Sequence, residues 1–253
     1  MVEPLELSRI TAEPIQVVGY SFYFDPSTIE RGRALGLKGA EFYGLGRAGV
    51  LGDVDVDVVD RAFAFFHLRS IHFFWERTRA KADATQTARE YLLAAFAFAD
   101  QTFGAVPAEV LSLFAGASEN VARAVTPGHH LLFDGYRQFE RPTDPCHAAY
   151  LGVIQLRELR GGAHIDAVAA VGLTPAEACY VHDPGLFAMH GYGDDDVPDV
   201  TAQMRDKLAE AEVLTTSTMA SYFSVLSGDE CQQLANGVLA MSDALASPLA
   251  VNG

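Results

Sequence analysis

Cysteine is scarce in this chain. Only Cys146, Cys179 and Cys231 occur, widely separated and without a Cys-x-x-Cys spacing, which excludes a cysteine-built zinc site and suits a reducing cytoplasm. Their simplest role is that of small buried apolar side chains. Long apolar runs are also missing. The longest, Tyr91 to Ala99, is far short of the ~20 residues that cross a bilayer, so no membrane segment is expected. Glu3, Glu6 and Glu13 interrupt the first residues, which lack the basic start and apolar core of a signal peptide. Cations are outnumbered: 18 Lys and Arg face 33 Asp and Glu, a net charge of -15. Binding DNA mostly means neutralising phosphates with Lys and Arg, so this balance sets the expectation of no nucleic-acid partner.

What is present is apolar and periodic. With 49% hydrophobic and 20% charged residues in 253, there is ample side chain to bury in a soluble, cytoplasmic, globular protein. Strand-like alternation is rare, whereas helical spacing recurs in almost every long segment. After an apolar opening, Val17 to Phe24, the step Asp25-Pro26-Ser27 predicts a helix start and Gly36 its end. Asp57 to about Thr78 is apolar on nearly every face and predicts one aromatic helix in the centre of a bundle. Further helices are expected from Thr85 to Phe103, from Pro107, and from Pro145 to Arg160 with a break at Gly161-Gly162 and a restart through His164. The last two run from the acidic Asp194–Asp199 entrance to Leu214 and from Gly228 to Leu245.

Candidate chemistry is thin. Gly44-Leu45-Gly46-Arg47-Ala48-Gly49 matches the dinucleotide fingerprint letter for letter, but no βαβ repetition surrounds it, so no nucleotide is expected. His67 shares a stripe with Phe63, Ile71 and Phe74, while His72 lies five positions on, about 140° around a helix. No H-E-x-x-H pattern occurs, so no metal motif is assigned, and a metal or haem held by distant histidines stays open. The Asp194-Asp195-Asp196 run lacks calcium-loop spacing and fits a solvated helix entrance. Arg157, Glu158 and Arg160 form either an internal ion-pair cluster or an anion clamp, and the sequence alone does not separate these.

Taken together, several motifs resemble one family. They are Tyr23-Phe24-Asp25-Pro26, Gly36-Leu37, Phe42-Tyr43 with Arg47-Ala48 and Leu51-Gly52, Phe65-Phe66-His67, and Leu156-Arg157-Glu158 with Arg160-Gly161 and His164. The succession resembles an actinobacterial helix-turn-helix-like, winged-helix-like family of largely uncharacterised proteins, similar in length, over roughly positions 17 to 245. In that family the His67 position tends to be followed by proline, and the later motif reads approximately H-R-G-D-G-H. Here Leu68 replaces the proline, and Leu159, Gly162 and Ala163 replace the first His, the Asp and the second Gly, while Arg160, Gly161 and His164 are kept. The departures suggest a specialised, biosynthetic member.

The resemblance implies a mostly α fold, a multi-helix orthogonal bundle with a winged-helix-like C-terminal portion and little β. An N-terminal helical half over 1–125, a connection over 126–144 and a C-terminal half over 145–253 are expected. The leading functional expectation is a small-molecule-binding protein or enzyme with an aromatic-lined pocket. His67, His164 and Tyr43 are its candidate catalytic groups, and Arg47, Arg160, Phe63 and Phe66 its candidate substrate-binding residues. The alternatives are a protein-interaction role, with these motifs serving only packing, and a ligand-responsive transcription regulator. The regulator is disfavoured by residues 181–253, which hold two cations against eleven carboxylates. The aromatic surplus makes a homodimer the expected assembly.

Overall fold

Short polar side chains set six of the helix starts. Asp25, Asp83, Asp144, Thr174, Asp183 and Thr201 each accept a hydrogen bond from a backbone N–H of the helix that follows, satisfying donors that have no partner within the helix. In the computed structural model, which describes residues 2–246, these starts delimit a wholly helical chain, with no strand among the described residues. The elements in order are α1 (Pro4–Tyr20), α2 (Pro26–Ala34), α3 (Gly39–Ala48), α4 (Val56–Ala62) and α5 (Leu68–His72), the last continued by a π-helical turn, Phe73–Arg77. Then come α6 (Ala84–Phe103), α7 (Ala108–Ala124), α8 (Leu131–Tyr136), α9 (Pro145–Ala170), α10 (Pro175–His182), α11 (Pro184–Met189), α12 (Ala202–Phe223) and α13 (Gly228–Ala246). The mostly α expectation holds.

The organising element is α9. Its 26 residues extend about 39 Å at 1.5 Å per residue. It buries side chains on nearly every face, from Ala148 through Ile154 and on to Val168, and packs against α1, α6, α7, α8 and α12. One large core cluster follows, running from Leu7 to Met241, with a smaller one of Ala167, Val168, Leu173, Ala178 and Ala211 beneath α10 and α12.

Three expected boundaries move, each for a physical reason. The opening α1 reaches back to Pro4 with Pro14 inside it, whereas the sequence suggests only a short apolar stretch from Val17. The aromatic segment is not one helix: α4 ends at Ala62, and His67 caps α5 by accepting the Arg69 N–H on Nδ1 at 3.0 Å. Histidine is not among the favoured capping residues, so the apolar pattern runs through the break without a signal. The expected break at Gly161-Gly162 is absent, and α9 continues to Ala170. Gly162 is there for space, because a Cβ would come within 2.4 Å of His130 Nδ1.

That last point gives a paired test. Gly161 meets nothing within 4 Å, so Gly161→Ala gains helix propensity and is expected to raise stability by about 0.5–1 kcal/mol. Gly162→Ala overpacks against His130 and is expected to lose about 1–3 kcal/mol. Thermal melts of the two variants should therefore move in opposite directions from the parent protein.

Candidate nucleic-acid interface

Two helix–turn–helix units stand near the start of the fold. In the first, α2 passes to α3 through residues 35–38, where Gly36 adopts φ +76°, a left-handed turn that glycine reaches without strain. Yet α3 buries Glu41, Phe42, Gly44, Leu45, Gly46, Arg47 and Ala48. Its glycines, the fingerprint look-alike, are packing contacts: a Cβ on Gly44 would sit 2.1 Å from Phe74 Cβ, and one on Gly46 would sit 2.7 Å from Tyr91 Cβ. A helix so enclosed cannot enter a DNA groove.

The second unit differs. From α4 the chain turns through residues 63–67 into α5 and its π-helical continuation. Ile71, Phe74, Trp75 and Thr78 face inward, with Trp75 Nε1 donating to the Val54 carbonyl at 3.3 Å and Thr78 Oγ1 to that of Phe73 at 3.1 Å. Outward stand Arg69, Phe73, Glu76 and Arg77, followed by Arg79 and Lys81. The widened turn lets the adjacent Phe74 and Trp75 both be buried; such turns recur at functional sites.

Positive charge gathers here as nowhere else in the chain. Residues 61–82 hold Arg61, Arg69, Arg77, Arg79 and Lys81 against one carboxylate, Glu76. Arg69 reaches Asp196 at 3.4 Å, and Arg79 pairs with Asp53 while its guanidinium lies 4.7 Å over the Trp75 ring. Lys81 pairs with Glu41. Arg61 and Arg77 are exposed and make no ion pair with the described residues. This unit can place two unpartnered guanidinium groups, flanked by paired ones, against an anionic surface.

Beneath it lies a buried polar cluster. Arg47 holds Glu158 in bidentate fashion, Nε to Oε1 at 2.9 Å and Nη2 to Oε2 at 2.7 Å, and Arg157 Nη1 donates to the same Oε1 at 2.9 Å. Arg47 Nη1 also donates to the Tyr43 hydroxyl at 3.0 Å, and its guanidinium lies 4.7 Å over the Phe63 ring. Burial would raise the Glu158 carboxyl, but Arg47 and Arg157 together hold it below the ordinary carboxylate range. Burial also pushes the Tyr23 hydroxyl up.

The residues singled out from the sequence therefore fall into separate groups. Tyr43, Arg47, Phe63 and Phe66 meet, with Phe63 and Phe66 rings 5.7 Å apart and Tyr43 and Phe66 at 6.3 Å. His67 follows in the turn, edge-on to Tyr192 at 5.2 Å. Arg160 and His164 lie together on α9, Arg160 paired with Glu212 and His164 Nδ1 3.0 Å from the Thr215 hydroxyl. Burial lowers the His164 imidazole, against the pull of Glu212. The ion-pair alternative for Arg157 and Glu158 is the one the structure adopts. Two surface depressions, of about 290 Å³ and about 170 Å³, are lined by none of the seven singled-out residues. Asp100, Asp144 and His147 have metal-ligand proximity, but Asp144 caps α9, and His147 bonds Asp100 at 2.9 Å and stacks on Phe96, so these bonds account for the arrangement.

Comparison with known proteins gives one result. A helix-turn-helix family matches residues 8–188, most of the chain, and the chain belongs to that family. No curated protein and no solved structure matches it. Membership corrects two expectations, the small-molecule protein or enzyme and the absence of a nucleic-acid partner. The acidic segment 181–253 that disfavours a regulator lies nearly all beyond the matched residues, and it dominates the net charge of the whole chain. Outside 8–188 lie 12 of the 33 carboxylates but only 2 of the 18 cations. Inside the match, residues 61–82 hold five cations against one carboxylate, a local excess that the charge of the whole chain conceals.

Proposed function

We propose that this member of the helix-turn-helix family is a DNA-binding transcription regulator of the cytoplasm, with α5 and its π-helical continuation as the reading helix. The observation that carries the reading is the exposed face of residues 61–82, five cations to one carboxylate within a chain of net charge -15. In a helix-turn-helix the second helix enters the major groove and the first crosses the backbone. Arg77 and Phe73 then face base edges, where arginine recognises guanine and an apolar ring meets the thymine methyl, and Arg61 on α4 meets phosphate.

Fluorescence-anisotropy titration against a duplex from the protein's own upstream region tests this. Four phosphate contacts give a slope near -3.6 in log K against log salt, about a 100-fold loss between 50 and 200 mM. Absence of binding at 50 mM salt, or binding indifferent to salt, would refute the proposal.

A further inference from the structure

The reading helix is not free in this structure. Residues 190–196, just beyond the family match, are seated along its start. The His67 N–H donates to the His190 carbonyl at 3.0 Å, His190 Nδ1 donates to the Phe65 carbonyl at 3.0 Å, and the His190 ring stacks on Phe66 at 4.0 Å. Gly191 presses so closely on Ser70 that a Cβ would meet Oγ at 2.0 Å, and its φ of +96° admits no other residue without strain. Asp196 closes the seat, with Oδ2 3.4 Å from Arg69 Nη2 and Oδ1 3.9 Å from His67 Nε2. Its neighbours Asp194 and Asp195 make this the densest run of carboxylates in the chain.

Resting on the DNA reading above, we propose that residues 190–196 are an autoinhibitory clasp. The Asp196 carboxylate stands where a phosphate would approach Arg69 and His67, with Asp194 and Asp195 next to it in sequence, and DNA binding requires the clasp to lift. The same guanidinium cannot serve Asp196 and a phosphate at once. Three carboxylates beside the reading helix also repel the duplex before contact. The seat is one backbone bond, one bond from the His190 ring, the His190–Phe66 stack, the edge of Tyr192 on His67 and a partly exposed ion pair, Arg69 being 61% exposed, and such a pair contributes little in water. The clasp is thus built to be displaced.

Two variants lift it by different means. Asp194→Asn, Asp195→Asn and Asp196→Asn together remove the charge, while Gly191→Ala keeps every charge and unseats the segment from Ser70. Both are expected to bind duplex about tenfold tighter than the parent. Their salt slopes are expected to stay near the parent's, because Arg69 meets phosphate in every bound complex once the clasp has lifted. The control neutralises an equal number of exposed acids on α12 and α13, with Asp206→Asn, Glu210→Gln and Asp229→Asn, and is expected to leave affinity within about twofold of the parent. Parent-like binding by both clasp variants overturns the clasp and leaves the DNA reading intact. An equal gain in the control assigns the effect to net charge and also overturns it. If no form binds at 50 mM salt, the DNA reading fails and the clasp with it.

Discussion

Glu158→Ala is expected to cost about 3–5 kcal/mol, because it strands two buried guanidinium groups on the loss of the one carboxylate they share. At roughly 2–4 °C per kcal/mol for a chain of this size, the melting temperature should drop by about 10 °C or more, unless the variant fails to accumulate folded. Glu158→Gln keeps the shape and loses the charge, so it should fall in the same direction. The pH dependence has a definite sign. Glu158 titrates lower in the folded protein than in the unfolded chain, so its contribution is fully present above the unfolded value near 4.3 and disappears as pH falls through the folded one. Thermal melts of the parent should show an acid limb below about pH 4 that Glu158→Gln flattens. Near-parent stability of Glu158→Gln at pH 7 would show that the cluster is not a buried charge network.

The second large effect concerns recognition rather than folding. Arg61→Ala and Arg77→Ala, introduced together, are expected to weaken duplex binding by about 30-fold or more. About 1–3 kcal/mol of this belongs to Arg77 against base edges, and the rest to one lost phosphate contact at Arg61. Both side chains are exposed, so stability should stay within about 0.5 kcal/mol. Arg61→Ala alone should weaken all sequences alike and lower the salt slope by about one, whereas Arg77→Ala should also relax discrimination between sequences. Unchanged affinity in the double variant would remove α4 and α5 from the interface.

Where the sequence announces an element by local chemistry, the structure follows. Asp25 before Pro26 and Gly228 at the last helix mark boundaries that α2 and α13 keep within a residue. Where tertiary packing overrides local preference, the pattern misleads. Gly161-Gly162 has the composition of a break and lies inside α9, because His130 requires the space. The apolar run from Asp57 to Thr78 has no visible stop, because the stop is His67 capping the next helix with a ring nitrogen.

The candidate interface was partly legible. The motifs resembling a helix-turn-helix family lie along the chain, and residues 8–188 match such a family. Net charge pointed the other way because it sums a matched region and an acidic remainder whose contributions differ. Pairing was legible only as a pair of alternatives: Arg157 and Glu158 are adjacent in sequence, but Arg47, 111 positions from Glu158, completes the cluster, and no spacing rule finds it.

The central claim is that duplex DNA meets the chain at residues 61–82. Hydrogen exchange with and without duplex at low salt tests it most directly. Slowed exchange is expected over 61–82, with faster exchange over 190–196 as the clasp leaves its seat. Protection confined to α12 and α13, or no protection anywhere, would contradict it.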